Sequence, residues 1–372
     1  MQSPFGDAFA PFARDGAVRR GLPALAYRDD AFHHLENARL FARHWMFVGF
    51  AHAMPSRGDV RPLTAAGAPV LLVRDERGDI GAFHNVCRHR CLQLVAAPGN
   101  AGRMIRCPYH RWAYDLQGAL RAAPYFGGDD HRPPAGFDFS DNGLARIRCA
   151  VWHDWIFINL DGDAAPFDDF IAPLAERLAH LDLTRTTQSP PAMLDFGVVE
   201  ANWKLLMENF IEPYHVQFVH STTTDLPLVA HRTWIDRHCL GCTARGAQDA
   251  ANRTEVLAAD SSYLTLFPNF VLGFYAPDQL GVHLNTPINA RQTAQQRAIY
   301  LLRDQPTHET TTGEIAALTR LWREVHGEDH AICERMQRGR ESAIADDGGW
   351  LSPRWEASVR RFQELVYDAV GA

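Results

Sequence analysis

The sequence predicts an α+β protein with two domains: a small antiparallel β-domain, then a larger domain that combines an antiparallel sheet with long helices. The chain has 372 residues, enough for two domains of ordinary size. Short apolar runs separated by turn residues fill positions 58–116 and indicate β-hairpins. Strand-like runs at 263–303 precede a long helical pattern over Leu318–Ile344.

The elements follow from apolar spacing and turn residues. Residues 1–30, rich in Ala, Pro, Gly and Arg, are expected to form a loose arm, and Asp30–Phe50 a helix that leads into a strand. The remaining expected elements are strands at Pro69–Arg74, Ile80–Asn85, Met104–Cys107, Trp112–Leu116, Trp152–Leu160, Tyr263–Tyr275, Gly281–Ile288 and Gln296–Arg303, and helices at Pro166–Leu183 and Ser352–Val370. We expect domain boundaries that give an arm and helix at 1–40, a β-domain at 41–165 and a second domain at 166–372.

Composition and charge exclude several classes of protein. Hydrophobic residues make up 46% and charged residues 22% of the chain, which is typical of a globular protein. A net charge of −7 argues against nucleic-acid binding, which requires a basic face. No apolar run reaches membrane-spanning length, and the N-terminal residues lack the apolar core of a secretory signal. We therefore expect a cytoplasmic protein, in a compartment that keeps its cysteines reduced.

Two short motifs in the β-domain bring together two cysteines and two histidines. Cys87 and His89 form C-x-H, and Cys107 and His110 form C-x-x-H. Zinc binds such a set in a tetrahedron, whereas a [2Fe–2S] cluster takes both cysteines on one iron and both histidines on the other. Each motif supplies one cysteine and one histidine, whereas zinc fingers usually place both cysteines in one motif and both histidines in the other. The alternation favours the cluster, with a zinc site as the alternative.

A second constellation lies in the larger domain. Glu212, His215 and His220 are spaced E-x-x-H-x-x-x-x-H, and Pro213 suits the first turn of a helix that carries them. Two such histidines and one carboxylate form the facial triad of non-haem Fe(II) oxygenases. A helix with two incidental histidines is the alternative.

Together these motifs resemble the α subunit of Rieske non-haem iron oxygenases, the ring-hydroxylating oxygenase group. The resemblance covers nearly the whole chain, and its most specific parts are the four cluster residues, the NWKLLMEN run at Asn202–Asn209 and the histidine pair. It implies a Rieske domain and a helix-grip (START-like) catalytic domain. It also implies a head-to-tail homotrimer, in which the cluster of one subunit lies beside the mononuclear iron of the next.

The resemblance also assigns roles to individual residues. Cys87, His89, Cys107 and His110 are expected to hold the [2Fe–2S] cluster. The EDHAICERMQRG run matches the family's third iron ligand at Asp329, so His215, His220 and Asp329 are expected to hold mononuclear Fe(II), with Glu328 as the competing acid. Glu212, where the family usually has Asp, is expected to bridge the two centres between subunits, and Asn209 is expected to take part in catalysis.

Three further features complete the sequence-based picture. Cys91 and Arg111 stand where the family usually has glycine. The stretch Ser221–Asp260 is expected to be polar and variable, with Cys239 and Cys242 as unlinked thiols rather than a redox pair. Aromatic residues of the later strands (Phe267, Phe270, Phe274 and Tyr275) are candidates for the substrate pocket, although core packing accounts for most of them.

The resemblance implies a terminal oxygenase that uses O₂ to hydroxylate or oxidatively demethylate a small organic substrate. The chain has no dinucleotide-binding G-x-G-x-x-G unit and no plant-type ferredoxin motif, so a separate NAD(P)H-dependent reductase or ferredoxin must supply electrons. cis-Dihydroxylation of an aromatic ring is an alternative within the class. A Rieske electron carrier without oxygenase activity, or a zinc-binding structural protein, is an alternative outside it.

Overall fold

The computed structural model describes residues 5–129, 132–223, 226–245, 260–303 and 308–371. The chain divides into two compact units, one formed by Phe41–Ala165 and the other by Met1–Leu40 with Pro166–Ala372. Within the described residues, no helix combines the length and apolarity needed to cross a lipid bilayer.

The N-terminal residues form short elements that pack into the larger unit. They are helices α1 (Ala10–Ala13), α2 (Leu25–Arg28) and α3 (Asp30–Leu35), strand β1 (Arg19–Arg20), a 3₁₀ turn at Gly6–Phe9 and a π-helical turn at Glu36–Phe41. Phe9 and Phe12 are buried, and the centroid of each ring lies 5.4 Å from that of Tyr367. The expected loose arm is therefore wrong for the described part of residues 1–30, because its aromatic side chains are buried against Tyr367.

The regular elements of the smaller unit are almost all antiparallel strands. They are β2 (Met46–Phe50), β3 (Asp59–Ala65), β4 (Ala68–Arg74), β5 (Ile80–His84), β6 (Gly99–Asn100), β7 (Met104–Arg106), β8 (Ala113–Asp115), β9 (Leu120–Ala122), β10 (Arg146–Trp152) and β11 (Trp155–Asn159). Seven form a sheet in the order β2-β11-β10-β5-β4-β3-β6, and β7-β8-β9 form a second sheet. The expected hairpin is confirmed as β4 and β5, and it leads directly into the first cysteine–histidine motif.

The larger unit is built around one antiparallel sheet with helices. Its elements are α4 (Phe167–Arg177), β12 (Ala192–Val199), α5 (Trp203–Ile211), α6 (Val216–Val219), β13 (His231–Asp236), β14 (Cys239–Ala244), β15 (Ser261–Leu266), β16 (Phe270–Tyr275), β17 (Gln279–Asn289), β18 (Gln292–Leu301), α7 (His308–Gly339), β19 (Trp350–Leu351) and α8 (Ala357–Val370). The sheet order is β12-β18-β17-β16-β15-β14-β13, and β19 pairs with β1. The α+β fold class is as expected.

One stretch departs from the expectation. Residues 231–244, placed in a polar and variable region, form β13 and β14, and every residue of β14 is buried. Cys239 and Cys242 are buried, and their thiols are unlinked, the latter as expected. Leu240 is the only large apolar residue in CLGCTA, so the strand lacks the alternation of large apolar and polar side chains that identifies a half-buried strand.

Helix α5, which leads to the histidine pair, is anchored by buried polar contacts. Asn202 caps it by accepting a hydrogen bond from the amide of Lys204 (2.9 Å) and donates to the carbonyl of Ala290 (2.7 Å). The buried Lys204 ammonium lies 2.5 Å from the buried Glu36 carboxylate. A buried charge needs such a partner. The polar residues of the NWKLLMEN run thus fix the position of the helix.

Candidate functional site: two metal centres and a cavity

Three side chains of the larger unit converge on one point. His215 and His220 flank α6, and Asp329 lies on α7. The candidate ligand atoms of all three lie within 4.8 Å of one another. Asp329 Oδ1 is 3.1 Å from His220 Nε2 and 3.6 Å from His215 Nε2. Two imidazoles and one carboxylate are the ligand set of a mononuclear non-haem iron.

In each histidine, the ring nitrogen that faces away from Asp329 is hydrogen-bonded to a glutamate, and the two histidines use different glutamates. His215 Nδ1 donates to Glu212 Oε1 at 2.5 Å, and His220 Nδ1 donates to Glu328 Oε2 at 2.7 Å. The Thr223 hydroxyl also donates to Glu328, at 2.9 Å. Such contacts fix the tautomer and the ring orientation of a metal-binding histidine. Glu328, which the sequence offered as the competing ligand, therefore lies behind His220, while Asp329 faces both Nε2 atoms.

The residues present fit a bound cation. With Nδ1 of each histidine donating to a carboxylate, both Nε2 lone pairs point towards Asp329 Oδ1. That oxygen is buried and has no hydrogen-bond donor assigned to it. A converging set of lone pairs in a buried site is unfavourable unless a positive charge occupies the centre.

Protons provide that charge when no metal is bound. Burial lowers the pKa of His220, but its contacts with Asp329 and Glu328 outweigh burial and raise the pKa to about 9. The pKa of His215 is also raised, because Glu212 and Asp329 outweigh burial and the neighbouring His220. Both histidines must lose their protons at Nε2 to bind a metal.

The local backbone differs from the expected continuous helix. Helix α5 ends at Ile211, and Glu212 is extended, with φ −114° and ψ 137°. Only Val216–Val219 are helical, so His215 and His220 stand at the two ends of α6. The expectation of one helix from Pro213 is therefore wrong. The break turns the carboxylate of Glu212 back to accept from the amides of Tyr214 and His215.

In the smaller unit, the two cysteine–histidine motifs form loops with matching hydrogen bonds. The amide of Cys87 donates to the carbonyl of Leu92, and the amide of Cys107 donates to that of Trp112, both at 2.8 Å. The side chain of Asn85 anchors the first loop: it donates to the carbonyl of Val95 at 2.7 Å and accepts from the amide of Val95 at 3.0 Å. Two equivalent loops of this kind can hold a two-iron cluster between them.

Cys91 and Arg111 occupy the same position in the two loops. The amide of Cys91 donates to the carbonyl of Cys87 (3.0 Å), and the amide of Arg111 donates to that of Cys107 (3.1 Å). Their φ angles are +55° and +61°, in the left-handed region. Glycine adopts this conformation without strain, whereas other residues do not. The tight turn thus explains why glycine suits both positions.

The side chains of the four motif residues meet between the loops. Cys87 and Cys107 are buried, and the rings of His89 and His110 lie 4.6 Å apart. Burial raises the pKa of the Cys107 thiol, and the Cys87 thiol beside it adds to the rise. His89 Nδ1 is buried without a hydrogen-bond partner. Adjacent buried thiols and an unsatisfied imidazole nitrogen fit a group that binds thiolates and imidazoles together.

A cavity of about 350 Å³ opens beside the histidine–aspartate triad. Its lining includes Asn209 and Glu212, together with an aromatic wall of Phe210, Tyr263, Tyr275 and Trp322. Successive rings of this wall lie 6.1, 5.3 and 4.4 Å apart. Of the aromatics proposed from sequence, only Tyr275 reaches the lining, and Phe267, Phe270 and Phe274 are core residues.

Sequence reasoning missed several residues of the cavity, above all Arg297 on β18 and Trp322 on α7. A signal was present. The alternation of β18 puts Thr293, Gln295 and Arg297 on one face, and all three are buried. A polar inward face on a strand indicates a lined cavity rather than a packed core.

Comparison with known proteins identifies both units. A family model described as the ring hydroxylating alpha subunit (catalytic domain) matches residues 179–372, and a Rieske [2Fe-2S] domain model matches residues 44–128. A glycine betaine monooxygenase oxygenase subunit from Chromohalobacter salexigens is 33% identical over 215 residues, which is 58% of this chain and 46% of that protein. The chain thus spans about half the length of that relative.

Two further comparisons extend over most of the chain. Choline monooxygenase of Beta vulgaris is 25% identical over 360 residues, covering 94% of this chain and 76% of that protein. A solved quaternary ammonium Rieske monooxygenase, reported with carnitine oxidation and inter-subunit electron transfer, has a TM-score of 0.78 at 22% identity and covers 99% of both chains. This likeness shows that the folds agree.

The protein is thus a Rieske-type α+β protein with a separate catalytic domain. The chain belongs to the ring-hydroxylating alpha-subunit family, which confirms the resemblance seen in the sequence. Its cofactors are a [2Fe–2S] Rieske cluster and a mononuclear iron. The match to a Rieske domain also decides between the cluster and zinc in favour of the cluster.

Proposed function

We propose that this chain is the terminal oxygenase of a multicomponent system that hydroxylates or oxidatively demethylates a small quaternary ammonium compound. The observation that carries the proposal is the convergence of His215, His220 and Asp329 beside a cavity large enough for a small molecule. The named relatives act on glycine betaine and choline. The aromatic wall of the cavity suits such substrates, because aromatic faces attract quaternary ammonium groups.

We assign different roles in this reaction to different residues of the chain. His215, His220 and Asp329 would hold ferrous iron, and Cys87, His89, Cys107 and His110 would hold the cluster. Bound iron supplies the O₂ chemistry, and the cluster supplies electrons. Glu212 and Glu328 keep the two histidines in the tautomer that leaves Nε2 free. Asn209 lines the cavity, where we assign it a part in catalysis.

The overall reaction needs electrons from outside the chain. Hydroxylation converts R–H, O₂, two electrons and two protons into R–OH and water. On an N-methyl group the product loses formaldehyde, which completes demethylation. We infer that a separate NAD(P)H-dependent reductase or ferredoxin supplies the two electrons.

We infer also that the working form is a head-to-tail homotrimer in the cytoplasm, with residues 41–165 as the Rieske domain and residues 166–372 as the catalytic domain, into which the described part of residues 1–40 packs. His110, expected to bind the cluster, is exposed and can approach another subunit. Glu212, which contacts His215, would bridge the two centres across that contact. The related quaternary ammonium monooxygenase is described in terms of inter-subunit electron transfer, which supports this arrangement.

A single-turnover experiment tests the proposal. Protein loaded with iron and reduced with dithionite is exposed to O₂ in the presence of choline, glycine betaine or L-carnitine, and hydroxylated product and formaldehyde are measured. We expect product from at least one of them. The Asp329→Asn variant should keep the visible absorbance of the cluster and give no product. An oxidised cluster without product from any substrate, and with only one kind of iron, would instead favour the electron-carrier alternative.

A further inference from the structure

Arg297 is a buried cation in the wall of the cavity. It lies on β18, has no exposed surface and belongs to the lining that also contains the triad. Among the described residues, no carboxylate forms an ion pair with it, and Asp329 acts on it only through its charge. A buried cation without an ion-paired carboxylate is unfavourable, so the fold retains this arginine at a cost to stability.

The guanidinium group of Arg297 is held flat between two neighbours. Its Cζ lies 3.7 Å from the centre of the Trp322 ring. A Cβ atom on Gly281 of β17 would lie 2.3 Å from Nη2, 2.7 Å from Cζ and 2.8 Å from Nε, which places it on the face of the group. Glycine at position 281 therefore makes the room, and the contacts with Gly281 and Trp322 leave the edges of the group for hydrogen bonding.

Only part of the edge of the Arg297 guanidinium group is used for hydrogen bonding within the protein. Nη1 donates to His326 Nε2 at 2.8 Å, so this histidine acts as a neutral acceptor. Burial and the neighbouring positive groups hold the pKa of His326 well below its usual range. The phenol of Tyr275 also interacts with the guanidinium. Nε and Nη2, however, are buried and have no hydrogen-bond partner.

We propose that Arg297 binds a carboxylate group of the substrate through Nε and Nη2. These two donors form the planar fork that matches the two oxygens of a carboxylate. The inference rests on the proposed function and narrows its substrate class: the natural substrate carries a carboxylate as well as the group that is oxidised. A zwitterion such as a betaine fits this description, whereas choline, which has a hydroxyl in place of the carboxylate, does not.

Equilibrium binding to the iron-loaded, oxidised protein tests this by calorimetry. Glycine betaine and choline serve as probes, since both carry a trimethylammonium group and only the former has a carboxylate. Breaking a buried charged hydrogen-bonded pair costs about 2–5 kcal/mol, equivalent to roughly 30-fold or more in affinity. We expect glycine betaine to bind at least about 30-fold more tightly than choline.

Three variants separate the arginine fork from general effects. Arg297→Gln should remove the preference for glycine betaine. Gly281→Ala should weaken it as well, because the added Cβ displaces the guanidinium while its charge remains. Arg291→Gln, which removes an exposed arginine paired with Glu341 at 3.1 Å, should leave the preference unchanged. Circular dichroism shows whether each variant is folded. If Arg297→Gln does not fold, Gly281→Ala still tests the proposal.

The outcomes separate this inference from the proposed function. Equal binding of both probes, or tighter binding of choline, contradicts the carboxylate site and leaves a quaternary ammonium oxygenase in place. If neither probe binds but benzoate does, in an Arg297-dependent manner, the carboxylate site is supported and the quaternary ammonium class is wrong. If glycine betaine, L-carnitine and benzoate all fail to show Arg297-dependent binding, the inference is overturned.

Discussion

Nδ1 of His220 lies 2.7 Å from Oε2 of Glu328, the residue immediately before Asp329 on α7. One helix thus supplies two adjacent carboxylates that approach the same imidazole ring from opposite nitrogens. Asp329 faces Nε2, where a metal would bind, and Glu328 holds Nδ1. Two neighbouring acids therefore have separable roles.

The Glu328→Gln variant should weaken iron binding without abolishing it. Glutamine keeps an acceptor for the Nδ1 proton and loses the charge, and the loss of such a partner typically costs roughly 10–100-fold in metal affinity or activity. Asp329→Asn should lose mononuclear iron completely, because it removes the carboxylate that we propose as a ligand. Iron titration of both variants measures the difference. Glu324→Gln, an exposed acid one turn earlier on α7, is the matched control, and complete iron loss from Glu328→Gln would reverse the two assignments.

At saturating iron, where cluster and iron both remain bound, the Glu212→Gln variant should slow electron transfer between the centres; its affinity for iron should fall as in Glu328→Gln. Its carboxylate accepts from His215 Nδ1 at 2.5 Å, and we propose that it also accepts from His110 of a neighbouring subunit. Removing its charge weakens that connection but leaves the cysteine and histidine ligands in place. Stopped-flow absorbance of the reduced protein mixed with O₂ and substrate measures cluster oxidation. Wild-type oxidation rates with normal product yield would rule out the bridge.

Iron loading should depend on pH and release protons. In the metal-free protein the pKa of His220 is about 9, above its ordinary value of 6.5. The protonated ring therefore stabilises the metal-free fold fully below about pH 6.5, and this contribution is lost as the pH rises through about 9. Iron competes with that proton. The affinity of the protein for iron should therefore rise by about tenfold per pH unit below about pH 9, for each proton displaced. Anaerobic titrations at several pH values, with a pH-indicator dye, measure both effects, and a pH-independent affinity would contradict them.

Replacing Arg111 or Cys91 by glycine should stabilise the smaller unit slightly. A left-handed conformation costs a non-glycine residue roughly 1–2 kcal/mol, and the greater freedom of glycine in the unfolded chain offsets part of the gain. We expect a net gain of less than about 1 kcal/mol for each. Chemical denaturation followed by the visible absorbance of the cluster measures it. Arg103→Gly is the control, since Arg103 lies outside the left-handed region and should lose stability.

Most of the candidate ligands could be proposed from sequence because they occur in short, regular motifs. The two cluster motifs and the His215–His220 pair are local, so their spacing pointed to two candidate centres, with a zinc site and two incidental histidines as the alternatives. Asp329 lies more than a hundred residues further on, and only the family resemblance pointed to it. The separate role of Glu328 could not be predicted, because it depends on which face of α7 turns to His220.

The remaining differences have physical causes. Arg297, Trp322 and Gly281 come from three elements, and no spacing in the sequence connects them before the sheet forms. Strand β14 was missed because its side chains, mostly small, do not alternate between large apolar and polar residues. The broken helix at Glu212 was missed because Pro213 was assumed to start a continuous helix, whereas α6 begins only at Val216.

Metal analysis with electron paramagnetic resonance tests the central claim most directly, namely that this chain holds a Rieske cluster and a separate mononuclear iron. We expect three irons per chain, two in the cluster and one at the triad, from the ligand sets described above. His215→Ala should lower the content to two irons and leave the spectrum of the reduced cluster unchanged. Stoichiometric zinc without a cluster signal, or loss of the cluster signal in His215→Ala, would contradict the account.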